Sequence, residues 1–551
     1  MNMPVQNHVQ TPVQYPSEAP ANWDAQAEAE RILGVGDTPW YRKDDYGERV
    51  QEFANTLQGL DAQQRQELTA AILDKDTNAL NSWLNPSVMD GLDQRELGMV
   101  GEALAGAYNS GHPVMANFDA PANPTFGGHE MHQRNPLDGA VLGFNSHGYS
   151  DALGRAQDAR AFVELMSASS GPEAAQFRAD YANHLIEQYV LNDRVDVVTR
   201  DAAAGIAAQM LGNDTTRPDL VVDALSGMSE GDRATFLEHV ERSSGLFGSE
   251  IIEALASSDL RVDPADVRLQ DGLGLLMSAV ARSADPAAGE LAVEFAGLPA
   301  SNGDWFGREE ADARNMALSQ MFLAHDQQIL DAMSVYESAS AGNPTDPGER
   351  IFNANVEALG SLLGEILFNP DGVLTNTVQA RILEYSTGLV DEINASADRE
   401  NSEGYEEASG RLVVLRAATG EAVAQQYDAI TSSRESTAQA IGFMVDLALA
   451  ALPARVRVGD SVKTALAEVL PEGAIREAVQ GLTGKIVNEA TGRLTTEAKA
   501  QLADALGEDY ADVVEQSQLQ QQIEEQMLAG IEDERDRANI RRDSDGISGD
   551  R

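Results

Sequence analysis

Apolar residues recur every three or four positions along most of this chain, starting at Trp23. The segments DAQAEAERIL, ERVQEFANTLQGL and DAQQRQELTAAIL show this spacing near the N-terminus, and IFNANVEALGSLLGEILF shows it further along. Such spacing places apolar side chains on one face of an α-helix. The alternation that is typical of strands is confined to short runs. The sequence therefore predicts an all-α fold, a multi-helical bundle or an irregular helical array in several blocks with no substantial β-sheet.

Interruptions of the helical pattern divide the chain into blocks. The N-terminal stretch is rich in Pro, Gln and Asn, which favours disorder, and a later stretch rich in Gly, Pro and His predicts a long loop. The final DSDGISGDR is expected to fray. The predicted organisation is a disordered leader (1–22), helical blocks (23–111, 150–300, 301–432 and 433–536), a loop (112–149) and a disordered tail (537–551).

One helix-to-helix joint occurs twice in the sequence. Its residues are Leu57, Gly59, Leu60, Asp61, Arg65 and Leu68 in the first copy and Leu225, Gly227, Met228, Ser229, Arg233 and Phe236 in the second. The glycine predicts a left-handed residue that ends one helix, and the Asp or Ser predicts a cap on the next helix. A shorter echo follows at 91–95, but the spacing of the copies is irregular, which favours shared capping chemistry over a repeat scaffold.

Charge excludes one class of partner. The 551 residues include 89 acidic and 39 basic ones, for a formal net charge of −50. Such a surface repels phosphate backbones, so we expect no nucleic-acid partner, and it also repels anionic lipid at neutral pH. The chain has no cysteine, so disulfides and thiolate chemistry are excluded. No cleavable signal peptide is visible, so we expect a cytoplasmic protein when synthesised, with any export through a dedicated secretion system.

The most apolar stretch is AIGFMVDLALAALPARVRVG, residues 440–459. Its apolar part, from Ala440 to Ala454, is 15 residues long with Asp446 near its centre. It is therefore shorter than the about 20 apolar residues of a transmembrane helix. With the later AIREAVQGLTGKIVNEA it predicts a helical hairpin with a basic turn. The hairpin is either the core of the last block or a device for protein or membrane contact that acid uncovers. The candidate contact residues are Phe443, Met444, Leu447, Leu449, Leu452, Arg455 and Arg457.

Four of the eight histidines fall in the predicted loop: His112, His129, His132 and His147. Glu130 and Asp138 lie beside them, and His and carboxylate ligands suit zinc or another divalent metal. We therefore consider a metal site formed by His129, His132, Glu130 and His147, with a solvated polar loop as the alternative. HEMH is not the H-E-x-x-H motif of metalloproteases.

No other catalytic or cofactor-binding residue is assigned. Nucleophile-elbow, phosphate-loop and dinucleotide motifs are absent, and NSHGYSDA only places Ser, His and Asp near one another in sequence. His184 lies on the apolar face of its helix, so it is expected to be a hydrogen-bonded core residue.

Three segments carry a family resemblance: ALNSWLNP (79–86), SASSGPEAAQFR (167–178) and LSGMSEGDRATFLEHVERSSGLFG (225–248). They resemble large, mostly uncharacterised helical proteins of Gram-negative bacteria, often regarded as secreted effectors or toxin-associated proteins, over about residues 45–430. The resemblance implies a helical fold and a secreted role.

The leading hypothesis is a non-enzymatic effector-like protein that acts by protein or membrane contact through the hairpin within 440–490. Two alternatives remain open. One is a metal-dependent hydrolase that uses the loop 112–149. The other is a helical scaffold or a virion or structural protein.

Overall fold

A computed structural model shows a chain that divides into two compact units, Met1–Leu276 and Met277–Arg551. The division falls within the predicted block 150–300. The structure describes residues 23–34, 44–75, 91–112, 162–163, 165–169, 171–212, 217–246, 271–298, 308–336, 347–368, 374–396, 403–431, 434–452, 461–470, 474–488, 493–506 and 516–548. The predicted leader and all of the predicted loop except His112 lie outside these residues.

Helices make up the described part of the N-terminal unit. They are α1 (Ala25–Leu33), α2 (Asp44–Leu57), α3 (Ala62–Lys75), α4 (Gln94–Asn109), α5 (Pro172–Leu185) with a π-helical turn (Ile186–Val190), α6 (Val197–Gly212), α7 (Asp219–Ser226), α8 (Glu230–Leu246) and α9 (Gly272–Arg282), which begins in this unit. α3 packs against α1 and α4, α4 packs against α5, and α6 packs against α5 and α8. The N-terminal core is therefore a chain of neighbouring helix pairs.

The described part of the C-terminal unit is also helical. Its elements are α10 (Ala287–Ala296), α11 (Arg308–Met333), α12 (Pro347–Leu367), α13 (Thr375–Ala395), α14 (Glu403–Gln425), α15 (Tyr427–Ile430), α16 (Arg434–Ala451), α17 (Ser461–Val469), α18 (Ala474–Gly481), β1 (Val487–Asn488), β2 (Arg493–Leu494), α19 (Thr496–Leu506), α20 (Gln516–Leu528) and α21 (Glu534–Ser548). β1 and β2 pair in antiparallel fashion. The predicted all-α fold is confirmed.

The first of the two matched joints is held by an arginine. Asp61 Oδ1 accepts the Gln64 N–H at 2.9 Å, and Gln64 Oε1 accepts the Asp61 N–H at 3.1 Å, which caps α3 as predicted. The Arg65 Nε then donates to the carbonyls of Leu57 and Leu60, both at 3.0 Å. These carbonyls belong to the end of α2 and the turn after it, where carbonyls lack the amide partner of a continuing helix. The Leu57 carbonyl also accepts the Leu60 N–H at 3.3 Å. The arginine therefore closes the helix that precedes its own.

The second joint has the same geometry. Ser229 Oγ accepts the Asp232 N–H at 3.2 Å and so caps α8. Arg233 Nη1 donates to the carbonyl of Leu225 at 3.1 Å and to that of Met228 at 3.4 Å. The acceptors lie eight and five residues before the arginine, as they do for Arg65. The two joints therefore share one capping arrangement.

The predicted left-handed glycine at these joints is wrong. Gly227 has φ of −71°, in the right-handed helical region. Among the described glycines, positive φ angles occur at Gly111 and Gly484, not at Gly59. A left-handed glycine ends a helix by letting backbone amides bond its last carbonyls. Here the guanidinium takes carbonyls of the same region, and both glycines keep negative φ.

Four other arginines bond a carbonyl in the same way. Each donates to a carbonyl six to twelve residues earlier, in the segment that precedes its own helix: Arg178 to Met166 and Ser169, Arg200 to Val190, Arg476 to Leu470 and Arg537 to Ile531. A planar guanidinium carries several donors in a fixed fork, whereas an ammonium is a single point charge. This use of arginine fits a chain that contains only five lysines.

Arg416 is the largest fully buried side chain among the described residues. It projects from α14, which packs against α12, α13, α20 and α21. Its Nη2 lies 3.0 Å from Glu524 Oε2 on α20, and its Nη1 donates to Ser544 Oγ on α21. A buried charge is tolerated only where it is paired and hydrogen-bonded. This one side chain therefore holds α20 and α21 against α14.

The predicted disordered tail, 537–551, is wrong up to Ser548, where α21 ends. Ile540 is 2% exposed and Ser544 is fully buried, four residues apart on one helix face. The segment has few apolar residues, so its composition favours disorder. Tertiary contacts hold it in place, among them the buried Ile540, the bond from Arg416 to Ser544 and the pair of Arg541 with Glu525.

We expect Arg65→Lys to lower the free energy of unfolding of the N-terminal unit by about 1–2 kcal/mol, because one buried carbonyl loses its donor. Urea unfolding followed by circular dichroism measures the change. Arg194→Lys is the matched control, since Arg194 is exposed, and its effect should stay within about 0.5 kcal/mol. Equal losses in both variants would contradict the capping role.

We expect Gly420→Ala to destabilise the C-terminal unit by about 2–4 kcal/mol, because the new methyl group displaces a partner of Arg416. A Cβ at Gly420 would lie 2.0 Å from Glu524 Oε1. In the control Gly388→Ala, on α13, the Cβ meets no atom within 4 Å. That variant should gain up to about 1 kcal/mol from helix propensity. Thermal unfolding compares the two, and a loss of similar size in both would refute the steric argument.

Candidate functional site

The most apolar stretch of the sequence forms α16 and lies inside the C-terminal unit. Among the predicted contact residues, Phe443, Met444, Leu447 and Leu449 are at most 2% exposed, and Leu452 is 9% exposed. The helix packs against α13, α19 and α20. Contact of the four most buried side chains with a membrane would require α16 to leave this core. The structure therefore favours the core interpretation of the segment.

The predicted hairpin differs from the observed arrangement. The second predicted helix begins as α18, but α17 stands between α16 and α18 in the chain. α16 packs against α19, whereas α18 packs against α17 and α19. Arg455 and Arg457 of the predicted basic turn lie outside the described residues. Within the described part of the chain, no helix is both long and apolar enough to cross a membrane.

Asp446 is the polar centre of α16 and is 1% exposed. Its Oδ1 accepts the Leu494 N–H of β2 at 2.6 Å, and its Oδ2 lies 3.3 Å from Lys499 Nζ of α19. Burial raises the pKa of the Asp446 carboxyl, while Lys499, the Leu494 N–H and Arg493 lower it in part. The carboxyl is thus held by two elements that follow α16 in the chain.

The two cations near Asp446 share a second partner. Lys499 Nζ donates to Asn376 Oδ1, and Arg493 Nη2 donates to the Asn376 carbonyl, both at 3.0 Å. Asn376 lies in the first turn of α13. The aliphatic part of Lys499 passes over Gly442, where a Cβ would make ordinary van der Waals contact with its carbons at 3.6–3.7 Å. We call Asp446, Lys499, Arg493 and Asn376 the Asp446 cluster, which joins α13, α16, β2 and α19.

A cleft of about 410 Å³ opens between α13, α16 and α20. This volume is within the range of about 300–1,000 Å³ that is usual for binding pockets. Its apolar lining includes Leu383, Val390, Leu447, Leu452, Met527 and Ile531. Its polar lining includes Asp391, Asn394, Glu532 and Arg537. We call it the α16 cleft. Two of the predicted contact residues, Leu447 and Leu452, therefore reach a concave surface.

One edge of the α16 cleft is fixed by Asn394. Its Nδ2 donates to the Gly530 carbonyl and its Oδ1 accepts the Glu532 N–H, both at 3.0 Å. A Cβ on Gly530 would lie 2.9 Å from Val390 Cγ1, so glycine permits the close approach of this loop to α13. Because both amide atoms of Asn394 are used, the loop between α20 and α21 is held in place. The cleft is thus preformed rather than created by a mobile loop.

All four residues of the predicted metal site, His129, Glu130, His132 and His147, lie outside the described residues, as does the neighbouring Asp138. His112 is described, is 7% exposed, and has its Nε2 3.2 Å from Asp74 Oδ1. No group of three or more His, Asp or Glu residues in the described ranges is placed to hold a metal. The divalent metal therefore stays a prediction. His184 is buried as expected, with its ring centroid 5.8 Å from that of Tyr181.

Two further titratable clusters were not foreseen from the sequence. In the N-terminal unit, Asp201 on α6 accepts a hydrogen bond from His239 on α8, and both are buried. In the C-terminal unit, Arg411 pairs with Asp331 and bonds Tyr385 Oη at 3.1 Å. In each cluster the charged groups bond one another across neighbouring helices, so both clusters serve to join helices.

Sequence reasoning found the α16 side of the cleft and missed the other two. Met527 and Ile531 were visible as part of an apolar face of a polar helix. Nothing in the sequence pairs that face with α13, nor Lys499 with Asp446, because these partners lie 53 or more positions apart. Only an apolar face of α13 at helical spacing, with Leu383 and Val390, signalled a buried surface.

Comparison with known proteins adds no assignment. No model of a protein family matches the chain, and no curated protein matches it. Among solved structures, the chain is similar to an engineered protein from the Northeast Structural Genomics Consortium, with 12% sequence identity over 84% of this chain and 97% of that one. The TM-score of that match is 0.15, which carries no argument about fold or function.

We expect the stability difference between the wild type and Asp446→Asn to depend on pH. Because the folded state raises the pKa of Asp446 above the ordinary value of 3.8, it holds this proton more tightly than the unfolded chain. The stabilisation from this group is complete below that value and is lost as pH rises through the raised pKa. The wild type should therefore lose stability relative to Asp446→Asn on going from acid to neutral pH.

Urea unfolding over a pH series measures this difference. A repeat at about 0.5 M NaCl screens the repulsion among surface carboxylates and leaves the contribution of the buried Asp446 to the free energy of unfolding. A difference that grows in favour of the wild type as pH rises would show that the pairing with Lys499 outweighs burial.

Proposed function

We propose that this protein is a non-enzymatic, effector-like helical protein that binds a basic protein partner at the α16 cleft. The secreted role implied by the sequence resemblance belongs to the same proposal. The observation that carries it is the cleft itself, which has carboxylates at its rim and is lined by Leu452, 9% exposed, and by the edge of Leu447, 2% exposed. Binding sites are usually concave and combine apolar and polar lining groups, as this cleft does.

The apolar part of the cleft suits side chains of a partner helix. Leu447 and Leu452 come from α16, Val390 from α13, and Met527 and Ile531 from α20 and the turn after it. Methionine adapts to differently shaped apolar groups. Large apolar residues that are exposed elsewhere in the described chain are isolated. The cleft is therefore a better candidate for an apolar anchor than the rest of the described surface.

The net negative charge of the chain favours a partner with positive charge. Asp391 and Glu532 are exposed at the rim, and Arg537 is partly engaged with the Ile531 carbonyl. The whole chain adds a net charge of −50, which attracts cations and repels anionic surfaces. Complementary charge speeds association and excludes partners of the wrong sign. A segment with apolar anchors and flanking Lys or Arg residues satisfies both requirements.

The experiment uses a fluorescein-labelled helical peptide of Leu and Lys as the probe. Fluorescence anisotropy at low salt should show saturable binding to the full-length protein. Asp391→Asn with Glu532→Gln should weaken binding roughly five- to tenfold, because two rim carboxylates are neutralised. Leu452→Lys should weaken it at least as much by placing a like charge at the apolar wall.

The matched control is Glu384→Gln with Glu392→Gln. Both residues are exposed on α13 and do not line the cleft, and the change in net charge is the same. Equal weakening by both double variants would mean that the peptide senses only the total charge, and the proposed site would be rejected. Flotation with anionic vesicles provides the other arm. Binding to vesicles without binding to the peptide would favour the membrane hypothesis instead.

A further inference from the structure

The chain that follows α18 returns to α16 and covers the turn that contains Asp446. The covering elements are β1, β2 and α19, which we call the clasp. Leu494 of β2 donates its N–H to Asp446 Oδ1 at 2.6 Å, and Lys499 of α19 places its Nζ 3.3 Å from Oδ2. α19 is one of the main packing partners of α16. Both parts of the clasp, β2 and α19, therefore pair with the same carboxyl.

The buried carboxyl of Asp446 favours the closed position of the clasp, because the clasp supplies its partners. Asp446 is buried in a helix whose neighbouring positions are apolar, so its charge has few possible partners. A buried charge that loses its partner is strongly destabilising. The groups that face it are Lys499 from α19, Arg493 and the Leu494 N–H from β2, and Asn376 of α13 holds both cations. Asp446 is therefore either paired with the closed clasp or exposed to water when the clasp opens.

The described residues of the clasp bury few large apolar side chains, namely Val487 of β1, Leu494 of β2 and Leu502 of α19. β1 and β2 are two residues each, which is far too short for a stable isolated hairpin. In the described part of α19, the buried apolar side chains are Ala498 and Leu502. By contrast, α14 buries apolar side chains along most of its length and bonds α20 and α21 through Arg416. Segments with few buried contacts open locally at a lower free energy than the core.

Asp446 is adjacent to Leu447 on α16. Asp446 faces the clasp, whereas Leu447 lines the α16 cleft with α13 and α20. The clasp therefore packs against one side of this turn of α16, and α13 and α20, which form the cleft with α16, pack against another side. Removing the support on one side leaves the wall of the cleft free to shift.

We propose that the clasp opens from α16 as a local unit, with the Asp446–Lys499 pair as its latch, and that its opening weakens binding at the α16 cleft. The second half of this proposal rests on the proposed function. The first half is a property of the fold alone. The closed clasp holds the cleft in its preformed shape, so the latch regulates the cleft from the far side of α16.

The absence of cysteine from the chain permits a direct test with single thiols. Ala498→Cys places a thiol under the clasp, where Ala498 is 1% exposed, and Ala418→Cys places one in the α14 core, where Ala418 is fully buried. Local opening predicts that a disulfide reagent labels the Ala498→Cys protein at least about tenfold faster than the Ala418→Cys protein at the same pH. Equal rates would mean that the clasp opens only with global unfolding, which overturns the proposal.

The latch is tested in the Ala498→Cys background. Lys499→Met leaves the carboxylate of Asp446 without its lysine, so labelling at neutral pH should accelerate by about tenfold or more. Adding Asp446→Asn removes the buried charge and should reverse most of this acceleration. The rate at Ala418→Cys should not change. An unchanged rate in Lys499→Met, or equal acceleration at both thiols, would contradict the latch.

Two further measurements test the opening of the clasp and its link to the cleft separately. Hydrogen exchange of the unmodified protein should show faster exchange over α19 than over α14, which requires no variant to fold. The labelled Leu and Lys peptide should bind Lys499→Met about tenfold more weakly than the wild type. If the peptide does not bind the wild type, the proposed function fails while the thiol rates still decide the clasp. If it binds both proteins equally, the link from the clasp to the cleft is wrong.

Discussion

Bonds from arginine side chains to backbone carbonyls at the ends of preceding helices hold this chain together at its turns. A helix leaves its last carbonyls without partners, and a helical protein meets this problem at every joint. Arg65 and Arg233 solve it with the same offsets, five and eight residues back along the chain. At each joint one guanidinium nitrogen bonds two carbonyls, in addition to the local amide bonds from Leu60 to Leu57 and from Met228 to Leu225. The arginine thereby ties the end of one helix to the helix that follows it.

The C-terminal unit extends this reliance on polar contacts to its core. Arg416 fastens α20 and α21 to α14, and Asp446 fastens the clasp to α16. Each charge is tolerated because several groups satisfy it at once. Apolar burial alone is indifferent to small shifts of one helix along another, whereas a buried charge accepts only the position where its partners meet. The two charges therefore specify the helix arrangement that creates the α16 cleft.

The shape of the α16 cleft depends on the same buried carboxyl of Asp446. Leu447 lies beside Asp446, so the residue that fixes α16 also fixes the wall of the cleft. On the outside, a net charge of −50 acts over distances of about a Debye length, roughly 8 Å at physiological salt. In the proposed function, the apolar lining of the cleft supplies the short-range anchor and the charged surface supplies the selection for basic partners. This division of roles needs no catalytic group.

The sequence by itself determined the helical class and the caps at Asp61 and Ser229, because helical periodicity and capping are local properties. It left open whether α16 is a core helix or a contact device, and its burial was decided by the tertiary structure. It misjudged the tail at Ser544 and the glycine at Gly227, where a distant or neighbouring arginine decides the outcome. The pairing of Asp446 with Lys499, and the meeting of Leu447 with Val390 and Met527, belong to the tertiary structure alone. Their partners are brought together by packing, which leaves no spacing rule in the sequence.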